Sequence, residues 1–246
     1  MKSQIKILIL ISITLSLLSF ISPRDEVEFL KEKNLQTPSD FESYTYSIQW
    51  GNTLCIPNKS CREKTKNWKK NIFTLHGLWP NGENGKQLPD CNTGNHINFE
   101  IDDDTLQKNM EIHWPSLTGP NAKFWEHEYN KHGYCYTHKY GGAQTEFFGK
   151  AMELFLNWGL ENIISELMQN PEEEEVEISE DDLRALIAKN YPDMEYDVDC
   201  KIKNKTNYLQ ELRLYLNLDF KPYSPEQARQ RNCLKGKNII IQKMLD

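Results

Sequence analysis

Two short segments carry the side chains able to do chemistry: Phe73-Thr74-Leu75-His76-Gly77-Leu78-Trp79-Pro80 and Phe124-Trp125-Glu126-His127-Glu128-Tyr129-Asn130-Lys131-His132-Gly133-Tyr134-Cys135. Each supplies a histidine, and the second surrounds its own with Glu128, Lys131 and a further imidazole, His127. A neutral imidazole removes a proton and a cationic one delivers it, so two histidines held in opposite states serve both halves of an acid–base displacement. Cleaving an RNA phosphodiester through the substrate's own 2′-hydroxyl needs such a pair, and it needs no metal-activated water.

Read as a helix at about 100° per residue, the second segment puts Glu128 and His132, four apart, on one face. Lys131 lies three residues from Glu128 and four from His127. One short helix thus aims a histidine, a carboxylate and an ammonium at a common pocket, with His127 at its edge. His127-Glu128 opens like a zinc-protease motif, which requires its second histidine four residues after the first. Here it comes five later, about 140° around the helix, so no metal site is expected. His76 follows an apolar run and precedes a glycine, which places it at a strand end facing a cleft. Trp79-Pro80 is either a rigid aromatic surface beside it or simply core.

The elements that must position these groups follow from periodicity. Tyr44 to Trp50 and Ile72 to Leu75 read as strands, the second ending at His76-Gly77. Asn81 to Gly85 is a turn-rich loop. Asp102 to Trp114 carries Leu106, Met110 and Trp114 at helical spacing, and Phe124 to His132 is a short helix stopped by Gly133. Thr145 to Trp158 places Phe147, Phe148, Ala151, Leu154, Phe155 and Trp158 on one apolar stripe. Ser179 caps a helix through Leu183, Leu186 and Ile187. Tyr208 to Phe220 and Asn238 to Gln242 suggest two more strands. The fold class is α+β: one disulfide-bonded domain, residues 43–246, with helices packed on an antiparallel sheet.

Residues 1–22, with Lys2 and Lys6 ahead of an apolar run, read as a secretory signal peptide, the alternative being a membrane anchor, for which the run is short, and 23–42 as a short polar arm. No later segment is apolar enough to span a bilayer. Six cysteines fit an oxidising compartment, extracellular or lysosomal or vacuolar; sequence spacing alone leaves their pairing open. Asn58 and Asn204 head glycosylation sequons. The formal net charge of −7 argues against stable RNA packaging more than against turnover. Much of the acid lies in Glu172 to Asp182, which reads as a solvated loop or helix start.

The two histidine segments resemble the active-site signatures of the ribonuclease T2 family of acid ribonucleases. Gln49-Trp50, Trp114-Pro115-Ser116-Leu117, Cys200 and Cys233 extend the resemblance over roughly Tyr44 to Cys233. It implies His132 as general base and His76 as general acid, with Glu128 and Lys131 stabilising the transition state and His127 holding the phosphate. It implies Trp79 and Phe124 as base-stacking aromatics and Gln49 as a contact at a second base site. It further implies disulfides Cys55–Cys61, Cys91–Cys135 and Cys200–Cys233. Gly51 and Asn81 depart from the family's usual proline and acidic residue, which bears on base preference. The expected protein is a monomer acting on single-stranded RNA, with no cofactor, no obligate protein partner and no membrane attachment once the signal is removed. The competing reading is a catalytically inactive storage or binding relative, whose mark would be a lost histidine.

Overall fold

The computed structural model describes residues 40–54, 71–94, 96–170, 172–225 and 232–243. The signal peptide, most of the arm, Cys55, Cys61 and Asn58 therefore lie outside the described residues. The described chain enters the core at Phe41, which packs edge-on against Tyr44.

The centre is a six-stranded sheet. β1 (Ser43–Trp50) leads through a helical turn, Gly51–Leu54, and β2 (Phe73–Asn81) pairs antiparallel with it. Four helices follow: α1 (Asp104–His113), α2 (Asn121–Glu128), α3 (Tyr134–Tyr140) and α4 (Gln144–Asn157). Then come β3 (Glu175–Ile178), α5 (Glu180–Ala188), β4 (Tyr196–Lys203), β5 (Thr206–Asn217) and β6 (Ile239–Gln242). The spatial order is β2-β1-β5-β6-β3, with β4 on β5. Pairing is antiparallel except where β6 meets β5 at Asn207 and Tyr208, which is parallel.

Alternation along β1 divides the sheet into two kinds of surface. Tyr44, Tyr46 and Ile48 sit opposite Leu216, Leu214 and Leu212 of β5, Trp50 sits opposite Phe73 of β2, and all are buried in the aromatic core. The Tyr46 hydroxyl donates to the Ala151 carbonyl of α4 at 2.6 Å, so this is the face that the Phe147–Phe148–Phe155 stripe covers. On the other face Thr45, Ser47 and Gln49 sit opposite Tyr215, Arg213 and Glu211, also buried or nearly so. A buried polar face is costly unless its groups are satisfied. Here they satisfy one another, and the site grows from this face.

Several elements differ from the sequence reading. β2 does not stop at His76 but runs on to Asn81. The register slips between Ser47 and Ile48, whose partners are Gly77 and Leu75, leaving His76 as the extra residue of a β-bulge. Pro80 is tolerated because β2 is an outer strand. Within the acidic run, Glu175–Ile178 is a strand rather than a loop or helix start: Val176 and Ile178 alternate with exposed glutamates and pair with β6. β4, unforeseen, pairs with β5 through a two-residue turn at Asn204 and Lys205, both with positive φ (50° and 61°). Asn204 stands exposed at that tip. Helix starts follow their signals: Asp103 accepts from the Thr105 and Leu106 amides, and Ser179 from the Asp182 amide. Among the described residues no helix is long and apolar enough to cross a membrane.

Candidate active site

The second histidine segment is not a plain helix ending at Gly133. α2 passes at Tyr129 into a π-helical turn, Tyr129–Gly133, where the Tyr134 amide reaches back to the Tyr129 carbonyl. The chain then continues as α3 and stops at Gly141, which takes φ +80°. π-turns are rare and need outside support for the carbonyls they free. The loop bearing Cys91 gives it: the Cys91 and Asn92 amides donate to the Lys131 and Asn130 carbonyls, each at 3.0 Å. The Asn130 side chain donates to the Ile97 and Glu126 carbonyls at 2.7 Å and accepts from Asn92 Nδ2 and the Ile97 amide. The Cys91–Cys135 disulfide closes the same corner, and Cys200 is joined to Cys233. Asn130 lay within the motif, yet nothing in its sequence context distinguished it from a surface residue.

Trp79 is the hub. Its indole N–H donates to Glu128 Oε2 at 2.9 Å. Its ring meets His76 edge-on at 4.9 Å and lies against His132 at 5.4 Å with a 30° tilt. Glu128 and His132 thus converge on one tryptophan, and a distance of 3.9 Å separates His76 Nε2 from Glu128 Oε1. Gly77 makes this possible: a Cβ there would land on the Trp79 indole nitrogen and the Glu128 carboxylate. Phe124, half-buried, lies 5.8 Å from the His76 ring. Lys131 and His127 line an adjoining cavity of about 250 Å³ with Asp90, His96, Lys123 and Glu126. Gln49 is buried in β1 opposite Glu211 and donates to the Leu75 carbonyl at 3.4 Å.

The residue that sequence reasoning missed is Glu211, 135 positions after His76, whose Oε1 lies 2.7 Å from His76 Nδ1. Ser47 Oγ donates to Glu211 Oε2 at 3.1 Å and Arg213 Nε does so at 3.0 Å. Arg213 also reaches Asp199 at 2.9 Å and lies 5.8 Å over the Trp79 ring. The alternation of β5 could have put Glu211 and Arg213 on a non-core face, but no signal in the sequence linked that face to His76.

These neighbours drive the two histidines apart. Burial opposes charge on His76, but the hydrogen bond and charge of Glu211, with Glu128 added, outweigh it and the repulsion of Arg213; the ring is raised above the ordinary histidine value. His132 is buried, and burial and then Lys131, His76 and His127 hold it well below that value. Burial likewise lowers His127, helped by Lys131. Burial raises Glu128 against the pull of His76, the Trp79 N–H and Lys131. Glu211 is lowered to about 2: burial alone would raise it, and its bonds to His76 and Arg213 prevail. One imidazole is thus poised to give a proton and the other to take one.

A sequence profile of the Ribonuclease T2 family matches residues 41–234, most of the chain, and the protein belongs to that family. Ribonuclease DdI of Dictyostelium discoideum is 36% identical over 126 residues, which are 51% of this chain and 53% of that one. Ribonuclease T2 of Danio rerio is 36% identical over 117 residues, 47% and 44% of the two chains. The matched stretch therefore spans about half the length of these relatives. Among solved structures, the self-incompatibility-associated SF11-RNase of Nicotiana alata superposes with a TM-score of 0.65 at 20% identity, over 83% of this chain and all (100%) of that one. RNase NT in complex with 5′-AMP gives 0.64 at 23% identity, with the same coverage of 83% and 100%. At those identities the likeness shows the shared α+β fold.

Proposed function

We propose that the protein is a metal-independent endoribonuclease that cleaves single-stranded RNA. His132 takes the 2′-hydroxyl proton; the 2′-oxygen attacks phosphorus; the P–O5′ bond breaks as His76 Nε2 protonates the leaving oxygen. The products are a 2′,3′-cyclic phosphate and a free 5′-hydroxyl. In a second step His76, now neutral, takes a proton from water as its oxygen attacks phosphorus, and protonated His132 returns one to O2′ as the P–O2′ bond breaks, leaving a 3′-phosphate. Glu128 and Lys131 meet the charge that develops on the phosphoryl oxygens, and His127 contacts the phosphate. Phe124 and Trp79 stack on bases, a sequence-tolerant contact that suits low specificity. DNA, lacking the 2′-hydroxyl, is not a substrate.

The observation that carries this reading is the opposed environment of the two histidines around Trp79: a carboxylate bonded to one, burial and basic neighbours at the other. The rest of the reading is an exported monomer of the extracellular space, lysosome or vacuole, glycosylated at Asn58 and Asn204. An acidic optimum fits these environments, because His132 stays unprotonated well below the ordinary histidine pKa while His76 stays charged above it. A rate still climbing above neutral pH would count against that optimum.

The experiment is cleavage of the dinucleotide ApU in excess EDTA by the wild type and His132→Ala. Cyclic phosphate formed by the wild type, unaffected by EDTA and reduced roughly 10²–10⁴-fold by the substitution, is the expected result. Folded wild-type protein that leaves ApU intact from acidic to neutral pH would instead mark a storage or binding relative.

A further inference from the structure

We propose that Glu211 is the positioning carboxylate of the acid half of this site: it holds the His76 ring through Nδ1 so that Nε2 is the nitrogen presented to the leaving oxygen. The proposal rests on the reading of His76 as the proton donor.

Three observations point to it. The Nδ1–Oε1 distance is 2.7 Å, and the imidazole is the more exposed partner, 27% against 4% for the carboxylate. The ring is therefore the part open to a substrate, while the carboxylate anchors it from beneath. Glu211 is fixed in turn, since its second oxygen accepts from both Ser47 and Arg213. Arg213 is itself pinned by Asp199 on β4. Three adjacent strands thus hold one carboxylate behind a ring that lies on a bulge of a fourth. A bulge frees His76 from the ladder and re-aims its side chain, but by itself leaves the ring's rotation and tautomer unset. An acceptor at Nδ1 sets both, because it requires Nδ1 to carry a proton and leaves Nε2 to do the exchanging. The charged groups acting on His76 are Glu211 and Arg213 from β5, Asp199 from β4, Glu128 from α2, and His127 and His132 from α2 and the π-turn. Among the described residues, Glu211 alone is hydrogen-bonded to its ring.

The test varies the leaving group. A 5′-nucleoside alkoxide must be protonated to depart, whereas 4-nitrophenolate leaves without help. ApU and uridine 3′-(4-nitrophenyl phosphate) are compared with wild type, His76→Ala, Glu211→Gln and Glu211→Asp. Glu211→Gln is expected to lose roughly ten- to hundredfold in kcat on ApU, within the range spanned by general-acid catalysis, with KM unchanged. On the aryl ester it should lose little. Its alkaline limb should move to lower pH, and Glu211→Asp should recover part of the loss. Ser47→Ala, which removes one hydrogen bond to Glu211, should show the same pattern more weakly and serves if Glu211→Gln does not fold. Equal losses on both substrates, or none on either, would overturn the positioning role. If His76→Ala itself falls equally on both substrates, the donor assignment beneath it fails, and that outcome is read independently of the Glu211 variants.

Discussion

Glu128 works against the stability of the molecule that houses it. Its carboxyl is 2% exposed and its pKa is raised by burial, despite His76, Trp79 and Lys131. For a carboxyl the sign is unambiguous: a folded pKa above the unfolded one means that the ionised form destabilises the fold, and the cost fades as pH drops through the folded pKa. Glu128→Gln keeps an acceptor for the Trp79 N–H and removes the charge. We expect it to raise Tm at neutral pH, by roughly 2–4 °C for each kcal/mol relieved, while activity falls roughly 10²–10³-fold. A variant less stable than wild type at pH 7 would contradict this, and the difference should shrink at pH 4. The residue types of this site were legible in the sequence, because four ionisable groups within six positions have few other uses. Glu211 was not, since its link to His76 exists only through strand pairing across 135 residues.

At the scale of elements, two irregularities aim the side chains. The bulge at His76 and the π-turn at Tyr129–Gly133 each replace a regular element that periodicity had predicted, and each is stabilised by contacts distant in sequence. That is why the strands and helices were largely foreseen while their local deviations were not: propensity reports on neighbours, and these features depend on partners. β3 and β4 escaped for a related reason, their charged residues concealing an alternation that pairing makes decisive. Gly133 tests the π-turn. An added Cβ would sit 2.6 Å from the Phe147 ring and 2.7 Å from that of Tyr129, both buried. Gly133→Ala should lose roughly 1–3 kcal/mol by overpacking, more than the helical preference of alanine returns. An unchanged urea midpoint would show that the turn relaxes freely.

The whole molecule is built to keep its charges paired in acid. Glu126 is held down to about 2 by Lys123 and His96, and Glu211 to about 2 by His76 and Arg213 against burial. Depressed carboxyls add stability that is fully present above their ordinary value near 4.5 and is lost as pH falls through the folded value. Stability should therefore hold between neutral pH and about 4.5 and fall progressively between about 4.5 and about 2, an outcome that circular dichroism across that range would check. The Cys91–Cys135 bridge, spanning 44 residues, should contribute roughly 4 kcal/mol on loop-entropy grounds. Replacing both with alanine should also slow catalysis, because the same corner supports the π-turn. Full activity in a measurably destabilised double variant would separate the two roles.

The order in which the strands are made has a consequence for the cell that makes them. Both histidines have left the ribosome long before β5, yet β5 is the strand that sits between β1 and β4 and carries the carboxylate behind His76. A nascent chain thus holds its proton-transfer groups without the strand that arranges them, so the proposed ribonuclease stays inert until β5 has been made. Synthesis order acts as a safety catch. A chain stopped at Lys205 should leave RNA intact, and cleavage by that fragment would remove the argument.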